Sequence, residues 1–344
     1  MRRVVFVTQQ VDPAHPALAA TVPKIRALAE LVDEVVVLAD GAVEGVLPAN
    51  CRVRTFRSRT KGGRGARFKI AIMRELPGLR GGAVVAHMCP IYAVLAAPLV
   101  RPLRIPLVLW FTHWKASRLL RAAERVSTAV ASVDRRSFPL ESGKLHAIGH
   151  GIDLGEFPCV APSADDGGLR LLALGRYSRA KGLDTVLRAV AEIPETSLDV
   201  HGPTLSDDER AHRDELERLV RDLGVDGRVT LAEAVPRSQL PELFRTHDAL
   251  VNNMRAGAPD KVVYEAAASC VPVLASNPVF DSLLEAEQRF AREDVDGLVE
   301  RIRGLASLGA GERTELGRRL RERVEAGHSV ESWARGILRA AGAK

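Results

Sequence analysis

No apolar run in this 344-residue chain approaches the roughly 20 residues that a helix needs to cross a bilayer, which excludes a helical integral membrane protein. The N-terminal Met1-Arg-Arg-Val-Val-Phe-Val-Thr has the basic-then-apolar order of a leader. Its apolar stretch is only four residues, however, and polar Gln9, Gln10 and Asp12 follow, so it is expected to be a first strand. Cysteine is scarce: Cys51, Cys89, Cys159 and Cys270 form no C-x-x-C pair. Neither a zinc site nor a disulfide framework is expected, and a reducing cytoplasm is the expected home. Cys270 follows a run of small residues and is expected to be packed rather than catalytic. There is no short-period repeat and no low-complexity tract, which excludes a solenoid. With 46% apolar and 27% charged residues, the composition is that of a soluble globular protein with room for two cores.

What the chain has in excess is positive charge, unevenly placed. Residues 1–150 hold 23 Lys and Arg against 10 Asp and Glu, a net +13, and the remainder is −7, within a total of +6. Ten of those cations fall in 52–80, where the only acid is Glu75. Such a cluster favours an anionic partner, either lipid headgroups or a lipid phosphate, unless it is simply a solvated basic face. A nucleic-acid surface is disfavoured, because Phe56 and Phe68 are the only aromatics there for bases to stack on.

Apolar runs bounded by turn signals alternate with amphipathic stretches along the whole chain. Residues 4–8, 34–38, 83–87, 107–112 and 128–132 read as buried parallel strands, with helices over 23–31 and 117–125. A turn-rich, linker-like loop at 161–168 precedes a second series. Its strands are expected at 169–174, 197–200, 228–231, 249–252 and 271–275, and its helices at 182–191, 207–223, 236–245 and 261–269. Two doubly wound sheets in tandem follow, whose ligands belong at the carboxyl ends of the strands. A last helix over 329–341 carries Val330, Trp333, Ile337 and Leu338 on one face and needs a surface to cover.

Four segments carry candidate chemistry. Gly257-Ala-Pro-Asp-Lys-Val-Val-Tyr-Glu265 is a Gly/Pro loop leading into a helix that starts near Asp260, whose free N–H groups suit a phosphate, with Glu265 one turn further in. Leu171-Leu-Ala-Leu-Gly175-Arg176 ends a strand in a basic loop that reaches Lys181-Gly182, well placed to neutralise a diphosphate. Leu107-Val-Leu-Trp-Phe-Thr-His113-Trp114 delivers His113 at a strand's carboxyl end. Gly149-His150-Gly151-Ile152-Asp153 reads as a turn, with Gly151 at positive φ.

Together these segments resemble the donor-binding signature of the family 4 retaining glycosyltransferases of GT-B fold, in the variant that carries an Asp-Lys pair before the second glutamate. The resemblance implies an α/β GT-B architecture: two Rossmann-like, doubly wound parallel-sheet domains facing across a cleft. Residues 1–150 would form the acceptor side and 151–328 the nucleotide-sugar side, with 329–344 a helix packing back on the first domain. The turn at 149–153 would be the hinge for closure. The implied reaction moves a sugar from a UDP- or GDP-sugar to a hydroxyl acceptor with retention of configuration, without metal or other cofactor.

By the same resemblance His113, Arg176, Lys181 and Glu265 are the catalytic candidates. Arg176 and Lys181 would clamp the diphosphate, Glu265 the ribose, and His113 the sugar. Gly175, Gly202, Gly257, Ala258, Asp260 and Lys261 complete the donor contacts, and the loop 232–235 and Asn252–Asn253 line the nucleotide. Gln10, His15, His87 and His150 are candidates for the acceptor or the cleft.

Two positions depart from the family pattern. Gly257 stands where the earlier glutamate is expected, leaving Asp260 as the nearby carboxylate, and Cys270 stands where glycine is usual. The implied partners are a nucleotide sugar, a lipid-linked or anionic hydroxyl acceptor, and a membrane surface met through 52–80, at the inner face of a cytoplasmic location. Two alternatives stay open: a GT-B-like protein that binds a sugar nucleotide without efficient transfer, and a sugar-nucleotide epimerase.

Overall fold

Val- and Ala-rich runs too short to fold back on themselves bury both faces only when helices cover a parallel sheet from each side. The chain realises this twice. The computed structural model describes residues 3–15, 18–159 and 168–343, and divides into two compact units, Met1–Asp153 with Gly327–Lys344 and Leu154–Ala326. The loop expected at 161–168 lies outside the described residues except for Gly168.

Unit 1 runs β1 (Arg3–Val11), α1 (Thr21–Ala29), β2 (Glu34–Ala42), β3 (Cys51–Thr55), α2 (Lys61–Glu75), β4 (Ala83–His87), α3 (Pro90–Val100), β5 (Leu107–Trp110), α4 (Arg118–Val126), β6 (Ala129–Ser132) and β7 (Leu145–Ala147). Its sheet is all parallel in the order β3-β2-β1-β4-β5-β6-β7, with Val4 of β1 opposite Val35 of β2 and Ala83 of β4. One face packs Val5, Val7, Phe56, Phe68, Ile72 and Leu120 into a core.

Unit 2 runs β8 (Arg170–Leu174), α5 (Leu183–Ala191), β9 (Ser197–His201), α6 (Asp207–Asp222), β10 (Val229–Ala232), α7 (Leu240–Arg245), β11 (Ala249–Asn252), α8 (Lys261–Ala268), β12 (Val273–Ala275), α9 (Val295–Ala306) and α10 (Ala310–His328), whose last two residues belong to unit 1. Its parallel sheet has the order β10-β9-β8-β11-β12. The chain therefore reverses its direction of growth between β8 and β11, and the crevice at their carboxyl ends is where a doubly wound sheet takes its ligand.

The last helix, α11 (Val330–Ala340), belongs to unit 1 and lies beside α1. Trp333 and Ile337 on its inner face are fully buried. Gly151 sits at φ +77, and a Cβ there would fall 2.6 Å from the Lys24 stem and 3.1 Å from the Trp333 ring. The turn therefore requires glycine for conformation and for space alike. Its backbone is fastened by Gly151 and Ile152, whose N–H groups donate to the His328 carbonyl at 3.0 and 2.7 Å.

Three findings depart from the sequence expectations. The basic 52–80 segment, for which no element was expected, holds most of β3 and the whole of the 15-residue α2. Gly62, Gly63 and Gly65 disfavour a helix there, and the Thr60 cap on Gly63 N together with burial of Phe68, Ala71, Ile72 and Glu75 overcomes them. α9 and α10 lie beyond the last expected strand. Finally, the expectation of no disulfide framework is corrected by one bond. Cys159 and Cys270, 111 residues apart in sequence, are disulfide-bonded, while Cys51 and Cys89 stay free with thiol pKa values pushed by burial up to about 11 and about 12. Cys270 also holds φ +61, the left-handed region in which glycine is at ease and other residues cost about 1 kcal/mol. No helix among the described residues is long and apolar enough to cross a membrane.

Candidate functional site

The loops leaving β8 and β11 are stitched together. Arg255 N donates to Ala180 O at 3.0 Å and Asn253 Nδ2 to Gly182 O at 2.9 Å, which fixes the backbone on both sides of the crevice. Gly175 lies at φ +129, and a Cβ there would collide with Lys181 Nζ; one on Gly202 would collide with the Gly175 carbonyl. Glycine is required at both positions for space: the Lys181 side chain lies directly across Gly175, and the Gly175 carbonyl lies against Gly202.

Asp260 is the hub of this crevice. Its Oδ2 pairs with Lys181 Nζ and accepts from Asn252 Nδ2 at 2.9 Å, while Lys181 Nζ also donates to Leu174 O at 3.0 Å. The ammonium is thus oriented by two fixed acceptors. Arg176, whose side chain is 57% exposed, meets Glu209 at 3.0 Å. The Gly257–Asp260 loop is braced from β12: Asn277, 3% exposed, donates to Arg255 O at 3.0 Å and Ala258 O at 2.8 Å and accepts from Gly257 N at 3.3 Å.

Glu265 is fully buried in α8. Its Oε1 meets Arg237 Nη1 at 2.5 Å and Lys261 Nζ at 3.2 Å, while its Oε2 is buried with no hydrogen-bond partner among the described residues. Arg237 reaches Glu156 at 2.7 Å as well and lies 5.1 Å from the Phe157 ring centroid. Burial opposes the charge on Arg237, and the two carboxylates outweigh it, so its pKa is raised.

Gly175, Arg176, Lys181, Gly202, Gly257, Ala258, Asp260, Lys261 and Glu265 therefore all fall in unit 2, on the carboxyl-edge loops and the start of α8. Arg237, Asn277 and Glu209 were not singled out from sequence. Arg237 follows Pro236 in the loop after β10, and Asn277 sits in Ser276-Asn-Pro278, a turn signal that ends β12. The string Asp294-Val-Asp296, which has the spacing of a metal-binding D-x-D, is a helix cap: Asp294 accepts from Gly297 N at 2.9 Å at the start of α9.

The unit 1 candidates are spread more widely. His113 lies exposed three residues beyond β5, its Nδ1 accepting from Lys115 N at 2.9 Å; partial burial and then Lys115 hold its pKa below the ordinary value. His15 Nδ1 accepts from Leu18 N at 3.1 Å. His87 and His150 lie in the interior of the unit. His87 is 3% exposed, stacked on Trp110 at 4.7 Å between ring centroids and edge-on to Trp333 at 6.2 Å, with Lys24 Nζ 4.0 Å from the Trp110 ring. Burial and then Lys24 push its pKa well down, and neither ring nitrogen has a hydrogen-bond partner among the described residues. Gln10 lines a basic pocket with Arg57, Arg59, Arg64 and Arg67.

Comparison with known proteins bears on this geometry. Residues 161–323, which hold every unit 2 candidate, match the family model for glycosyl transferases group 1. Anabaena HepE in complex with UDP superposes with a TM-score of 0.79 over 100% of both chains at 16% identity. Sucrose-phosphate synthase of Thermosynechococcus elongatus superposes with 0.75 over 98% of both at 17% identity. The fold is GT-B. D-inositol 3-phosphate glycosyltransferase 1 of Catenulispora acidiphila is 33% identical over 115 residues, which make up 31% of this chain. The chain thus matches only 27% of that relative's length.

Proposed function

We propose that this GT-B protein transfers a glycosyl group from a UDP- or GDP-sugar to a hydroxyl acceptor, with retention of anomeric configuration and without metal. The observation that carries the reading is the unit 2 crevice, where the Lys181 ammonium, oriented by Asp260 and the Leu174 carbonyl, lies across the Gly175 backbone at the carboxyl ends of the strands. Lys181 and Arg176 neutralise the charge that develops on the departing diphosphate, which is the largest electrostatic demand of the reaction and can be met by fixed cations alone. The N–H groups at the start of α8 add to that field. Glu265 Oε2 accepts from a ribose hydroxyl. The match of 161–323 to glycosyl transferases group 1, and the HepE structures with UDP and with UDP-glucose, support a nucleotide-sugar donor.

One observation favours a second reading. Gly257 offers no side chain to the sugar, and Asp260 already has one oxygen shared between Lys181 and Asn252. A protein that binds the sugar nucleotide without efficient transfer would have this arrangement. Incubation with donor and candidate hydroxyl acceptors, followed by NMR of the product's anomeric proton, separates the two. Transfer with retention that falls about 10²–10³-fold in Lys181→Ala, the size of effect seen when one transition-state donor is removed, sustains the first reading. Saturable binding without any product sustains the second.

A further inference from the structure

The ten cations of 52–80 divide by what they touch. Arg52 and Arg54 are tied to the nearly buried Glu75 at 2.9 and 2.7 Å and serve to hold β3 on α2. Arg57, Arg59, Arg64 and Arg67 instead converge on one pocket of about 910 Å³ at the carboxyl ends of β1 and β2, which they line with Gln10 and Ser58. Among the described residues only Arg64 is paired there, with Asp40 at 3.4 Å, and Arg67 donates to the Arg57 carbonyl. Arg57 and Arg59 form no ion pair among the described residues. One carboxylate facing four guanidinium groups leaves an excess of about three positive charges in a concave site, a repulsive arrangement that an anion relieves.

Guanidinium groups arriving from a strand-end loop and a helix suit an anion with several oxygens in different directions, each held by paired N–H donors. A phosphate monoester, with three free oxygens and a charge of about −1.5 to −2 at neutral pH, fits that demand better than a single carboxylate. We propose that this pocket is a phosphate subsite, and that the phosphate it holds is carried by the acceptor. The second half rests on the transferase reading above; the first does not.

Calorimetric titration of the full chain with inorganic phosphate tests the subsite, and a parallel titration with UDP and GDP reads the donor crevice. Wild type is expected to bind phosphate saturably. Arg57→Ala/Arg59→Ala should weaken that binding tenfold or more and leave nucleotide affinity unchanged, while Arg74→Ala, on α2 but outside the pocket, should leave both unchanged. The proposal is overturned by absence of saturable phosphate binding, by undiminished binding in the double variant, or by an equal loss in Arg74→Ala, which would show diffuse charge rather than a built site. If phosphate binding depends on Arg57 and Arg59 while no nucleotide binds, the subsite stands and the donor reading falls; the opposite pattern has the opposite meaning. Flotation with phosphatidylcholine vesicles, with and without phosphatidic acid, identifies the source. Phosphatidic-acid-dependent binding lost in the double variant assigns the subsite to a lipid headgroup, and phosphate binding without vesicle binding assigns it to a soluble phosphate ester.

Discussion

The carboxyl edges of the two sheets handle charge in opposite ways. In unit 2 the cationic side chains named at the crevice each have a counter-ion: Lys181 with Asp260, Arg176 with Glu209, Arg237 and Lys261 with Glu265. In unit 1 the arginines of the basic pocket outnumber the single carboxylate that faces them. A paired edge holds its groups in place before the ligand arrives, so little ordering is left for binding to supply. An unpaired edge gives up that order for a long-range field that gathers anions. The +13 and −7 net charges of 1–150 and 151–344 are the trace of this division in the sequence.

The comparison breaks most sharply at Glu265. Replacing it by Ala removes the carboxylate that balances Arg237 and Lys261 and leaves cationic charge against a buried site, which typically costs about 3–5 kcal/mol. Chemical denaturation should show that loss, together with loss of nucleotide binding; a variant with wild-type stability would mean that the unit 2 edge is not the interlocked network described here. Glu265→Gln, which keeps the shape and one acceptor, should fall between the two.

Next in size is the disulfide, which only unit 2 contains. Closing a loop of 111 residues restricts the unfolded chain, and Cys159→Ser is expected to lower the stability of unit 2 by about 2–4 kcal/mol. All three tryptophans, Trp110, Trp114 and Trp333, lie in unit 1. Their fluorescence should therefore report an unchanged unit 1 while calorimetry registers the loss. No change on either readout would show that Cys159 and Cys270 do not staple the unit.

The smallest expected effect is that of pH on unit 1. His87 and His328 are held below the ordinary histidine pKa of 6.5 by burial, His328 at about 4. Between those values the unfolded chain binds protons that the folded unit does not, so stability is full above about pH 6.5 and declines as pH falls toward 4. Tryptophan-monitored melting temperatures should fall across that window, and His87→Gln should flatten the fall. A flat profile in wild type would remove the buried-imidazole description of this core.

What the sequence disclosed and what it hid follow from the range of the interactions. Residues 83–87 and 249–252 coincide with β4 and β11 because a buried parallel strand is a short apolar run bounded by turns, a local signal. The Gly175, Lys181 and Asp260 loops were legible for a similar reason, since each stands at the end of such a strand. α2 was hidden because its glycines weaken the local helix signal, and burial of Phe68 and Ile72 against the sheet decides its state instead. The Cys159–Cys270 bond and the reach of Arg237 to Glu265 join residues 111 and 28 positions apart, and no spacing rule in one sequence announces such pairs. His87 ends a strand as a ligand-edge histidine would, but the rings of Trp110 and Trp333 enclose it.

The claim on which the rest depends is that the unit 2 crevice takes a nucleoside diphosphate, and calorimetric titration of UDP and GDP into wild type, Lys181→Ala and Arg57→Ala/Arg59→Ala tests it most directly. One-to-one binding of at least one of the two nucleotides is expected, weakened tenfold or more by Lys181→Ala and untouched by the double substitution. Binding of neither nucleotide, or binding indifferent to Lys181, would contradict it.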